Sequence, residues 1–302
     1  MPVKTILAAI AVVLVLAPLA LGVAGWLRAR RESRAMPPVR MDWRLAVAST
    51  LLYVLAFNLV FFLQELFLVL PKALTPGLRA TLYHNNHTWT GDNPVAALFQ
   101  GTGVVATLLA GLGCLAWLRS SRAPRAPAAR LFLAWMAYCG CLMALPQVVA
   151  GALLPGSDVG MAMGYLQLGV ATKTTAALLA LAAIPAVALA LRRPLLEFAD
   201  DAARIDHARA RTRFAFHVAT LPALAAIALI VPFRVPRDPV EVLVVPLVVS
   251  CVGIAWIQAG AWRVDDARAS GSRIGGIGWI AAAAVALLLV FQLVLRPGIA
   301  FG

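Results

Sequence analysis

Residues 45–70 run LAVASTLLYVLAFNLVFFLQELFLVL: twenty positions without a charge, then Glu65, then five more apolar residues. A bilayer core about 30 Å thick needs roughly 20 apolar residues in helix, because a backbone that meets no water there must satisfy its own N–H and C=O groups. The stretch is therefore a membrane span, and seven others pass the same test. They are Thr5 to Leu27, Asn93 to Leu118, Leu131 to Ser157, Val159 to Leu191 (interrupted only by Lys173), Phe214 to Phe233, Val242 to Trp262 and Ile274 to Leu295. With 62% hydrophobic and 13% charged residues in 302, the chain has more apolar surface than one water-soluble core of that size buries. The expected fold is an all-α integral membrane protein, a bundle of about eight transmembrane helices, with residues 1–302 forming a single polytopic domain.

The formal charge of +13 would point a soluble protein toward nucleic acid, but these cations sit in short clusters between the apolar runs. No nucleic-acid partner is expected; the bilayer is the partner. Lys and Arg in short loops are retained on the cytoplasmic side. One set of loops holds nineteen of them, including Arg28, Arg34, Arg40, Arg119, Arg192, Arg211 and Arg273; the other holds six, and Lys173 falls within a span. Both termini are thereby predicted outside. The first apolar run is too long for the roughly 7 to 15 residues of a signal-peptide core, and its cations follow it, so it reads as a retained helix. The abundance of Ala, Leu and Arg, without eukaryotic targeting signals, points to a bacterial inner membrane.

Between spans 5 and 6, Pro194 opens a segment in which Leu195, Phe198, Ala202 and Ile205 recur at helical spacing, with acids early and arginines late. That pattern predicts a short helix on the cytoplasmic membrane surface. Prolines 18, 146, 185, 222 and 246 fall inside spans and predict kinks. Gly160 with Gly164, and the series Gly101, Gly103, Gly111 and Gly113, predict close helix approach.

Several signals lead nowhere. Gly101-Thr-Gly103-Val-Val-Ala106 and Gly276-Ile-Gly278-Trp-Ile-Ala281 have the letters of a dinucleotide fingerprint but no βαβ context. Nucleotide, zinc-protease and serine-hydrolase signatures are absent. Cys139 and Cys141 point to opposite helix faces, which favours buried thiols over a metal clamp. The sequon Asn86-His87-Thr88 is accidental in a bacterial setting.

The polar constellation lies between spans 2 and 3, in Tyr83-His84-Asn85-Asn86-His87-Thr88-Trp89-Thr90-Gly91-Asp92-Asn93. His84 and His87 at i, i+3 can present two imidazoles to one ion, with Asp92 as a third ligand; zinc or copper would suit such donors. Tyr83 and Trp89 fit the aromatic belt of a membrane interface. Glu65 shares a helix face with Asn58 and lies near the outer end of span 2. Lys173, costly inside a span, is placed to pair with Glu65 or line a path. The substrate-binding set expected from sequence is therefore Glu65, Lys173, Asn58, Tyr83 and Trp89. The leading functional reading is an inner-membrane protein whose periplasm-facing polar site binds or moves a small solute, ion or lipid headgroup. Two others stand beside it: a membrane-embedded metal-dependent enzyme using the His-x-x-His loop, and a structural or assembly subunit with a membrane-protein partner or a second copy of itself.

Overall fold

A computed structural model describes residues 2–31, 41–237, 239–270 and 274–301; Arg34, Arg40 and Arg273 of the basic clusters lie outside them. Eight helices are long and apolar enough to cross a bilayer. Span 1 is Val3–Arg31, span 2 Trp43–Ala73, span 3 Val95–Arg119, span 4 Pro127–Leu153, span 5 Val170–Leu196, span 6 Ala208–Arg234, span 7 Val242–Arg263 and span 8 Gly278–Leu295. The chain is a multi-pass, all-α membrane bundle.

Burial ranks the spans. The most apolar stretches of spans 2 and 4 are 78% and 72% buried, against 11% in span 1 and 17% in span 8. Spans 2 and 4 thus form the axis and spans 1 and 8 lie at the periphery. Where the two axial spans meet, Tyr53, Trp135 and Tyr138 pack edge to face, with Tyr53–Trp135 centroids 4.8 Å apart and Trp135–Tyr138 centroids 5.6 Å apart. Each polar tip finds a partner, as a buried polar group must. The Tyr53 hydroxyl meets Ser250 Oγ at 2.8 Å, Tyr138 donates to the Val249 carbonyl at 2.8 Å, and Trp135 Nε1 donates to Ser49 Oγ at 3.0 Å.

Span 3 reaches span 4 through glycine. A Cβ on Gly140 would lie 2.6 Å from Gly111 Cα, so the two backbones touch there. The prolines inside spans are accommodated in two ways. Pro18 and Pro222 each lie four residues beyond a carbonyl they cannot bond, Leu14 and Val218, and both carbonyls fall in widened π-type turns, Val12–Leu16 and Phe216–Thr220. Pro146, Pro185 and Pro246 are carried within continuous helices.

Two connections differ from expectation. The apolar run 159–191 is not one span: a short helix, Asp158–Tyr165, is followed by a break in which Gln167 takes φ 51°, and span 5 begins at Val170. Between spans 5 and 6 there is no continuous surface helix. Phe198 and Ile205 are buried against the bundle, Ala202–Arg204 form one tight turn, and the His207 side chain caps span 6 by accepting from the Ala210 N–H at 3.0 Å. Arg130, Glu197, Arg193 and Asp266 link this side in a chain of ion pairs.

On the opposite side the fold adds a small sheet. β1 (Arg79–Leu82) pairs antiparallel with β2 (His87–Thr90) on one edge and with β3 (Ile299–Phe301) on the other. The chain's two remote segments therefore meet over the end of span 2.

Candidate functional site

Span 2 sends two charged side chains toward this sheet. Glu65 and Lys72 are seven residues apart, two turns along one helix face. Lys72 lies past the expected end at Leu70 because Pro71 sits in the last turn without breaking it. Both are buried, Lys72 to 0% exposure and Glu65 to 5%.

The hairpin folds back over them. On β2, alternation sets His87 and Trp89 on the inward face and Thr88 and Thr90 outward. The two inward rings stack, with centroids 5.7 Å apart and planes 17° from parallel. His87 then joins span 2 to span 3: its Nδ1 meets Glu65 Oε2 at 2.8 Å and its Nε2 meets Gln100 Oε1 at 3.0 Å. Lys72 Nζ donates to the same Gln100 oxygen at 3.0 Å and to the Leu68 carbonyl at 2.7 Å, and lies 4.7 Å from the centre of the Trp89 ring.

Lys72, a pure donor, fixes Gln100 with its oxygen inward, and that oxygen is shared by Lys72 Nζ and His87 Nε2. Lys72 Nζ also lies 3.5 Å from His87 Nε2, so Glu65, His87, Gln100 and Lys72 form one continuous polar chain. A second carboxyl group acts on this chain. Asp158, first residue of the short helix, feels Glu65, His87 and Lys72 electrostatically; burial pushes its carboxyl up from the ordinary 3.8, with Glu65 adding to the rise and His87 and Lys72 opposing it. Beneath the cluster Gln147 donates to Gln64 Oε1 at 2.7 Å, where Gly103 lets span 3 approach: a Cβ there would be 2.8 Å from the Gln64 carbonyl.

The expected metal triad does not assemble. His84 lies in the turn, not on the strand, and its Nε2 donates to the Val235 carbonyl at the end of span 6 (3.2 Å), while neighbouring Asn85 bonds the Arg234 carbonyl and Arg237. His87 faces span 2 instead, and Asp92 is exposed beyond the strand. Among the described residues no three His, Cys, Asp or Glu side chains form a group able to hold a metal ion. Zinc and copper therefore lack the donor set the spacing suggested. Burial lowers the His84 imidazole from its ordinary 6.5, against the pull of its carbonyl partner.

The remaining sequence-derived residues scatter. Asn58 bonds the Val54 carbonyl of its own helix at 2.8 Å, deeper in span 2. Tyr83 packs beside Gly298, whose φ of 92° and missing Cβ leave room for the ring. Lys173, expected at mid-span, occupies the first turn of span 5 and does not pair with Glu65, whose ion-pair partner is His87. Lys72, Gln100 and Asp158 were not anticipated. The i+7 spacing from Glu65 was the available sign for Lys72; nothing local marks Gln100 or Asp158. Comparison with protein-family profiles, with curated proteins and with solved structures finds no match.

Proposed function

We propose that the protein is a multi-pass component of a bacterial inner membrane whose outward-facing cluster of Glu65, Lys72, His87, Gln100 and Asp158 binds or moves a small polar solute, exchanging protons as it does. One observation carries this reading. Lys72 is completely buried, yet among the described residues no carboxylate lies within ion-pair distance of it. A buried charge that serves only to hold helices together is normally neutralised by direct contact. Here the ammonium is separated from Glu65 by His87 and Gln100, groups whose hydrogen bonds a solute oxygen can replace. An intramembrane cluster of this kind is by default a functional site.

The test uses proteoliposomes loaded with a pH-sensitive dye and challenged from outside with phosphate, succinate, glycine or ethanolamine. One class of probe is expected to shift the internal pH in wild type, with the rate reduced at least tenfold in Glu65→Gln and Lys72→Gln. The reading falls if none of the four moves internal pH and none raises the melting temperature of wild type above that of Lys72→Gln.

A further inference from the structure

At the arginine-rich end of the bundle, remote from the sheet, span 1 stands off from spans 6 and 7 and leaves a cavity of about 930 Å³. Span 1 is pinned across this gap at two heights. Trp256 Nε1 donates to the Val13 carbonyl at 3.0 Å, and Trp262 Nε1 donates to the Leu21 carbonyl at 3.2 Å. The Trp262 ring fills the place of a Gly25 side chain, since a Cβ there would lie 2.5 Å from Trp262 Cδ1. The gap is therefore a held feature of the fold.

Its walls change character along their length. Leu14, Leu19 and Val23 of span 1 face Ile254 of span 7 across an apolar trough. At the inner end the lining becomes Arg30, Arg209 and Arg213, and among the described residues no Asp or Glu lines the cavity. Two of these cations are held in place: Arg30 lies 3.7 Å over the Trp26 ring, and Arg209 donates one N–H to the Ala29 carbonyl at 3.1 Å. Each guanidinium has five N–H donors and matches phosphate geometry. From Leu14 to Arg30 the helix rises about 24 Å at roughly 1.5 Å per residue. An apolar trough of that length ending in three arginines complements an amphiphile with an anionic head, and basic pockets between transmembrane helices suit lipid headgroups.

We infer that this cavity binds an anionic phospholipid of the leaflet facing the arginine-rich loops. Its phosphate sits among Arg30, Arg209 and Arg213, and one acyl chain lies between spans 1 and 7. The test titrates the delipidated full chain in maltoside detergent with dioleoyl phosphatidylglycerol, dioleoyl phosphatidylcholine or glycerol 3-phosphate, and reads binding by native mass spectrometry and melting temperature. Phosphatidylglycerol is expected to bind at least tenfold tighter than phosphatidylcholine, and Arg209→Gln with Arg213→Gln to abolish the difference. Val23→Trp, which fills the trough without changing a charge, is expected to weaken phosphatidylglycerol at least tenfold, and it decides the matter if the arginine variant does not fold. Equal affinity for the two lipids, or undiminished phosphatidylglycerol binding in Val23→Trp, overturns the inference. Displacement by glycerol 3-phosphate at comparable concentration also overturns it, because the site would then read a free anion.

Discussion

His87 is held between a carboxyl group and an amide oxygen with its side chain 7% exposed, so removing either neighbour leaves a buried polar ring short of a partner. Breaking one side of a buried ion pair costs about 3–5 kcal/mol. Glu65→Ala and His87→Ala are each expected to fall near the lower end of that range, and the double variant to cost less than the sum by about 1–3 kcal/mol. Denaturant unfolding in micelles measures the cycle, and strict additivity would show that the pair carries no coupling. His84 sets a second expectation. Its folded-state value lies below the ordinary 6.5, so as pH falls the unfolded chain takes up the proton first. The stability tied to the neutral ring is intact above about pH 6.5 and is lost as pH drops below it. Wild type should melt lower at about pH 5.5 than at about pH 7.5, and His84→Asn should remove that part of the slope. Glu65, His87 and Trp89 were visible in the sequence as polar or aromatic residues at a span end, and the structure brings them together. Gln100 was not, because an amide at the start of a span looks like any interfacial polar residue until the fold sets it between two donors.

Among the helices, glycine spacing alone did not separate contact from open space. Gly140, which the sequence did not single out, meets the Gly111 backbone, whereas Gly164 of the G-x-x-x-G pair has nothing within 4 Å of where its Cβ would be. Gly140→Ala is expected to destabilise by about 1–3 kcal/mol through overpacking. Gly164→Ala should be neutral or stabilise by up to ~1 kcal/mol through helix propensity. Melting of the two variants side by side checks the contrast. The spacing carries no information on which way each helix is turned about its axis. Hydropathy likewise hid the break before span 5, because Leu166 and Leu168 flank the residue of positive φ and keep the run apolar. That is why Lys173 looked central when it lies in a first turn. The sheet was hidden for another reason: β3 lies more than two hundred residues beyond β2, and a three-residue strand has no periodicity of its own.

For the molecule as a whole, eight spans were legible because the cost of unsatisfied backbone in lipid leaves a long apolar run few alternatives. Their orientation rests on the skew of Arg and Lys, and it is testable directly. Alkaline phosphatase inserted after Gly156, in an exposed turn on the sheet side, should be active, and the same insertion after Arg122 should be inactive; the reverse pattern would invert the topology. The depth of the cluster then has an electrical meaning. Glu65 lies eight residues from Ala73, about 12 Å of helix in a core about 30 Å thick, so a proton arriving from the sheet side crosses at most about two fifths of the transmembrane field. One charge across a full 100 mV is worth about 2.3 kcal/mol, and this fraction is worth at most ~0.9 kcal/mol. With the arginine-rich side negative, that is up to roughly a fivefold gain in proton occupancy at constant pH. On the proposed proton-exchanging role and orientation, an energised membrane makes the cluster behave as though the water outside it were more acidic than it is.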